Sequence, residues 1–230
     1  MFHLEGVSKQ YQQVDKAVSA LDCTTLDIQR GEFIAIVGPS GSGKSTMLTL
    51  LGGMLAPTAG KVWFGGQSLY DLSVTERAEL RRLKMGFVFQ TFNLIPYLTA
   101  LENVEVPLLL RGDSKSNQRK RGLELLDQVG LGDRAHHKPS QLSTGQQQRV
   151  ALARTLANDP CVILADEPTG NLDPEMRNQV LSFLEAFHRQ GKTILMVTHD
   201  PLAASRASRS LQMTAGRIVE KLTADDLKAA

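Results

Sequence analysis

Residues 38–45 read Gly38-Pro39-Ser40-Gly41-Ser42-Gly43-Lys44-Ser45, with Thr46 next, a fit to G-x-x-x-x-G-K-[ST]. What surrounds this loop limits the fold. Ahead of it runs Phe33-Ile34-Ala35-Ile36-Val37, unbroken and apolar, as in a strand buried on both faces. Behind it, Thr46-Met47-Leu48-Thr49-Leu50-Leu51 continues as a helix. A glycine-rich strand-to-helix turn of this kind lets backbone N–H groups close around phosphate oxygens, which a Cβ would keep away. The helix N-terminus directs its dipole at the same anion. Lys44 supplies positive charge to the β- and γ-phosphates, and the Ser45 hydroxyl is a hard oxygen ligand suited to Mg²⁺. The alternative is a strand–helix turn with no ligand. Both flanks favour a parallel α/β sheet that binds nucleotide phosphates.

A second apolar run, Cys161-Val162-Ile163-Leu164-Ala165, ends in Asp166 and Glu167. Ligands of parallel sheets lie beyond the carboxyl ends of the strands, so Asp166 is placed to reach Mg²⁺, directly or through water. Glu167, one step further out, can hydrogen-bond a water in line with a γ-phosphate. Capping of the helix that follows Pro174 suits Asp173 better, because Asp173 directly precedes a proline at the first helical position.

Ser143 and Gln146 have capping-box spacing ahead of Val150-Ala151-Leu152-Ala153-Arg154-Thr155-Leu156, so Ser143 is expected to start a helix. With Gly145 beside it, this start is a second anion site. Two phosphate-binding helix starts and one acidic strand end make sense together if two chains face each other and share each nucleotide.

Taken in order, these segments resemble the ATP-binding cassette (ABC) ATPase family over residues 2–220. The matching positions are the phosphate loop at 38–46, Gln90 as the Q-loop glutamine, and Leu142-Ser143-Thr144-Gly145-Gln146 as the signature. The Leu164–Glu167 strand end, Asn171-Leu172-Asp173 as the D-loop and His199 as the switch histidine complete the series. The resemblance implies a P-loop NTPase (RecA-like) α/β core with an antiparallel β subdomain and an inserted α-helical subdomain. It implies ATP and Mg²⁺ as ligands and a head-to-tail homodimer in which Ser143 and Gly145 of one chain close on the γ-phosphate held by the other. Ser45, Gln90 and Asp166 are then expected at the metal, Glu167, His199 and Gln90 as the catalytic group, Gln146 with Ser143 and Gly145 at the nucleotide, and Asp173 across the shared interface. Thr144 departs from the pattern, which has glycine there. Tyr11 either belongs to the core or, as an aromatic after the first strand, stacks on adenine. Three stretches, 89–96, 101–104 with Pro107-Leu108, and 166–173, resemble the subgroup of lipoprotein-release, macrolide-export and cell-division ATPases.

The 230 residues suffice for one sizeable core and a second lobe. Expected strands lie at 2–7, 21–28, 33–37, 61–64, 85–89, 162–165 and 193–197, with a closing hairpin over 213–219. Thr99 and Glu102 predict a helix start before 104–110, and Leu123, Leu126 and Val129 fall at helical spacing within 117–129. A longer helix is expected over 174–190. The organisation predicted is a core of 1–90 and 157–222, a helical lobe of 91–156 and a polar tail of 223–230. Cys23 and Cys161 are expected as buried thiols without a disulfide. His136 and His137 are adjacent and cannot share a helix face. The basic stretch 115–121 reads as a solvated helix face.

A net charge of +2 gives no support for a nucleic-acid partner. No apolar run approaches a membrane span and no signal peptide is recognised. The expected location is therefore cytoplasmic, peripheral at the membrane through an integral permease. The cluster Phe92, Leu94, Ile95, Pro96 and Tyr97 is either lobe core or the permease-docking surface. Other readings are an ABC ATPase that regulates a membrane partner without transport, and a soluble ABC protein acting on DNA or ribosomes. The short segment between Gln90 and Leu142 leaves no room for the long coiled coil of chromosome-associated members.

Overall fold

The computed structural model describes residues 1–12, 17–170 and 172–222, so Asn171 and the polar tail lie outside the described residues. The chain opens with the antiparallel strands β1 (Phe2–Gln12) and β2 (Ala17–Ile28). Then come β3 (Phe33–Val37), helix α1 (Lys44–Leu51), β4 (Ala59–Phe64), β5 (Gln67–Ser68), α2 (Val74–Lys84) and β6 (Met85–Phe89). Three helices follow, α3 (Ala100–Arg111), α4 (Lys115–Gln128) and α5 (Thr144–Thr155). The order closes with β7 (Val162–Asp166), α6 (Pro174–Arg189), β8 (Thr193–Thr198), α7 (Pro201–Ala204), β9 (Arg209–Thr214) and β10 (Arg217–Leu222).

Two sheets result. One is antiparallel, in the order β2-β1-β4-β5; the other has six strands in the order β10-β9-β3-β8-β7-β6. In the second, β9, β3, β8, β7 and β6 run parallel and only β10 is reversed. Its central strands are apolar without interruption because both faces are covered. The period of 2 divides them between two cores. Phe33, Ala35, Ile163, Ala165, Ile194 and Met196 face a core shared with helices α3 to α6. Ile34, Ile36, Val162, Leu164, Leu195 and Val197 face a core shared with α1 and the antiparallel sheet.

The expected helix starts are present. Thr99 and Ser143 each complete a capping box, with Glu102 and Gln146, and Asp173 caps α6 with Pro174 in its first turn. Helix α2 has the same signal, Ser73 with Glu76, and basic residues Arg81, Arg82 and Lys84 in its last turn. It buries none of its residues, so no apolar stripe announced it. Cys23 departs from expectation. It is exposed with φ 41°, on the edge strand β2, where the β1–β2 register shifts, while Cys161 is half-buried. Both thiols are free.

Strand β6 sits so close to the end of α5 that it needs glycine. A Cβ at Gly86 would lie 2.6 Å from Thr155 Cγ2 and 3.1 Å from Pro160 Cγ. Gly86→Val should therefore cost about 1–3 kcal/mol by overpacking. In a urea titration the midpoint should fall at unchanged slope; an unmoved midpoint would show that this contact can relax freely.

Candidate active site

Parallel pairing places four strand ends side by side. Val37 pairs with Thr198, and Asp166 with both Val197 and Phe89. The next residue in each strand's continuation is Gly38, His199, Glu167 or Gln90, so the register alone gathers them at one edge. There lies a cleft of about 360 Å³ lined by Ser40, Gly41, Gly43, Lys44, Ser45 and Thr46 from the loop, with Gln90, Glu167, His199 and Ala20.

The loop's shape depends on distant backbone. Gly43, φ 105°, is the N-cap of α1, and a Cβ there would overlap the Ala20 carbonyl oxygen. Gly216 N–H, in the β9–β10 turn, donates to Ser42 O at 2.9 Å. Ala20 and this turn are parts of the site that sequence analysis missed, because contacts between distant segments leave no local signal. Lys44 is buried, and its Nζ donates to Gly38 O at 2.7 Å and to Pro39 O at 2.9 Å. Ser42 Oγ is buried without a partner among the described residues. Among the described residues the loop thus offers an ammonium held by two neutral carbonyls and an orphaned hydroxyl, which fits an anion.

Ser45 Oγ donates to Asp166 Oδ1 at 3.0 Å. A hydroxyl and a carboxylate in contact, beside a phosphate-binding loop, are the sparse protein donor set that suits Mg²⁺, an ion that takes its other ligands from phosphate and water. Next to them, Glu167 Oε1 accepts from His199 Nδ1 at 3.0 Å, with His199 side chain 62% exposed and Glu167 15%. Glu167 has a positive φ of 46°, unusual for a residue with a Cβ. A side chain at Gly170 would meet the Gln90 amide nitrogen at 3.0 Å, so this glutamine lies over the turn that follows Glu167.

Other expected site residues lie elsewhere. Ser143, Gly145 and Gln146 do not line the cleft. They form the start of α5, where Gln146 N–H donates to Ser143 Oγ at 3.3 Å and Ser143 N–H to Gln146 Oε1 at 2.9 Å. The Ser143 hydroxyl still has its own proton to donate. A Cβ at Gly145 would overlap the sulfur of Met176, so glycine lets α5 approach α6 closely. Thr144 is exposed. Asp173 Oδ1 accepts from Met176 N–H at 3.0 Å. Tyr11 is 41% exposed on β1 and is not among the residues that line the cleft; its exposure removes the core reading.

Burial pushes the Asp166 carboxyl above its ordinary value; the Ser45 hydrogen bond opposes this, Glu167 adds to it and Lys44 opposes it. A raised folded-state pKa means that the folded protein holds this proton more tightly than the unfolded chain. The ionised carboxylate therefore lowers stability, and that cost grows as pH rises from the unfolded value through the raised one. Asp166→Asn should melt higher than the wild type at neutral pH without nucleotide. Each kcal/mol released is worth about 2–4 °C for a chain of this size. The difference should shrink as pH falls through the window. A variant that melts lower at neutral pH would contradict the sign.

A family model described as ABC transporter matches residues 21–170. An uncharacterized ABC transporter ATP-binding protein of Methanocaldococcus jannaschii is 49% identical over 220 residues, covering 96% of this chain and 98% of that protein. The macrolide export ATP-binding/permease protein MacB of Hyphomonas neptunium is 48% identical over 219 residues, covering 95% of this chain. The chain spans only about a third of that relative, 34% of its length. Among solved structures, a dimeric post-hydrolysis state of the ATP-binding cassette MJ0796 bound to ADP and Pi superposes with a TM-score of 0.91. Its identity is 44%, over 97% of this chain and 99% of the other. A matched family model across most of the chain, relatives near half identity and a superposition over nearly its whole length agree with the site geometry: this chain belongs to the ABC transporter family.

Proposed function

We propose that this chain is the ATP-binding and ATP-hydrolysing subunit of a membrane transporter complex, that two copies meet head to tail around two ATP, and that their closure drives an integral permease. The observation that carries the reading is the meeting of Ser45–Asp166 and Glu167–His199 at one phosphate-loop cleft. Support for the dimer comes from Ser143 and Gly145, a helix start outside that cleft. The solved relative is described as a dimeric cassette. The working division is a core of 1–90 and 157–222, a lobe of 91–156 and a tail of 223–230.

In this reading Lys44 exchanges its two carbonyl partners for phosphate oxygens, and the loop amides and the α1 dipole hold the remaining charge. Ser45 and Asp166, with Gln90 nearby, would hold Mg²⁺, which when bound neutralises charge on the β- and γ-phosphates. Tyr11 stacks on adenine. Ser143 and Gly145 of the second copy contact the γ-phosphate, and Asp173 joins the two halves. Glu167 orients and polarises the attacking water, and His199 steadies the γ-phosphate. The chemistry is positioning and electrostatic stabilisation.

Among the described residues no helix is long and apolar enough to cross a membrane. We place the chain at the cytoplasmic face, held by its permease. A cleft of about 550 Å³ between α2, β6, α3 and α5, lined by Arg81, Arg82, Phe87, Phe89, Pro107 and Arg154 among others, is the proposed seat of that partner. The neighbouring cluster divides its roles. Leu94 packs against the lobe core, whereas Ile95 is 41% and Tyr97 82% exposed.

Glu167→Gln should keep ATP binding and lose turnover by about 10²–10⁴-fold, and should accumulate an ATP-bound dimer in light scattering. Turnover at the wild-type rate would remove Glu167 from the reaction. Tyr97→Asp should release the chain from membranes that contain its permease and leave its soluble ATPase rate and melting temperature unchanged. Full membrane retention would place the docking surface elsewhere.

A further inference from the structure

Gln148 is fully buried on α5, the helix that Ser143 starts. Its Nε2 donates to Pro168 O at 2.7 Å, while its Oε1 has no partner among the described residues. A buried amide with one half unsatisfied is a poor filler of apolar space, since methionine or leucine would avoid the desolvation cost. The bond that it does make reaches an informative atom. Pro168 directly follows Glu167, whose positive φ is disfavoured for any residue with a Cβ, and the residue before a proline prefers extended backbone. Such a turn persists only where its surroundings hold it.

Hydrogen bonds hold it from different sides. Glu167 N–H donates to Val197 O at 3.0 Å, tying the turn to β8, and Gly170 N–H donates to Glu167 O at 3.1 Å, closing the turn on itself. The bond from Gln148 ties the same turn to α5, whose first residues approach α6 so closely that Gly145 admits no Cβ beside Met176. The Ser143 helix start and the turn that carries Glu167 are thus joined through one continuous helix.

We propose that Gln148 is a positioning residue that fixes the Glu167 carboxylate to the Ser143 helix, so that turnover responds to what that helix start contacts. The inference rests on the reading of Glu167 as the residue that orients water, and its test separates the two. Gln148→Met keeps side-chain length and removes the hydrogen bond. In the full chain it should lower kcat about 10- to 100-fold, the range for a small misplacement of a reacting group. Fluorescent-ATP affinity should stay within about twofold and Tm within about 2–4 °C. Combined with Glu167→Gln, it should lower kcat no further than Glu167→Gln alone, because a group that acts through Glu167 has nothing left to act on. If the methionine variant does not fold, Gln148→Asn, one methylene too short for Pro168 O, is read the same way.

An unchanged kcat in Gln148→Met would overturn the inference. So would a loss of kcat that only follows a loss of affinity or folded fraction, or one that multiplies the Glu167→Gln defect. If Glu167→Gln itself turns over normally, the reading of Glu167 fails and takes the inference with it.

Discussion

Everything at the cleft depends on the register of four parallel strands. Val37 opposite Thr198, and Asp166 between Val197 and Phe89, bring the strand ends level to within one residue. From there a single further residue delivers Gly38, His199, Glu167 or Gln90. A slip of one residue in β7 would turn Ile163 and Ala165 to the other core and withdraw both carboxylates from the phosphate loop. Burial of the strands on both faces guards against that slip, since each alternate side chain already belongs to a filled core. Packing of the core therefore fixes the chemistry.

Around these strand ends the polar groups satisfy one another in a provisional way. Lys44 rests on two carbonyls, Ser45 donates to Asp166, and Glu167 accepts from His199. The Asp166 carboxyl is raised by its own burial, so negative charge here is uncomfortable until a cation arrives. In the proposed function, nucleotide phosphate and Mg²⁺ would relieve this by offering each group a stronger partner. Such a site is electrostatically prepared for its occupants, and the stability given up at Asp166 is part of that preparation.

Local signals made much of this legible. The phosphate loop, the capping boxes at Thr99 and Ser143, the Asp173-Pro174 start and the doubly buried strands all rest on contacts within a few residues, so they are visible in the sequence. Helix α2 carried the Ser73–Glu76 box as well, but without a buried face it had no periodicity to confirm it. Cys23 misled because an apolar neighbourhood does not say which face of an edge strand a residue takes. Gly43 is legible as a loop glycine, but the carbonyl of Ala20 that demands it is not, nor is the Met176 sulfur that demands Gly145. Gln148 reads as one more polar residue in a glutamine-rich stretch. Only the tertiary structure reveals that it is buried and bonded to Pro168.

The central claim is that each working site is completed by two chains, since the Ser143 helix start lies outside the cleft of its own phosphate loop. Mixing two inactive variants tests it directly: Lys44→Ala, which lacks the phosphate-loop charge, and Ser143→Arg, which blocks the helix start. In a head-to-tail pair formed from one of each, both lesions fall in one site and the other is intact. The account predicts that ATPase activity, absent from either variant alone, returns on mixing. If no ratio of the two restores turnover, the phosphate loop and the Ser143 helix serve the same chain and the shared-site account is wrong.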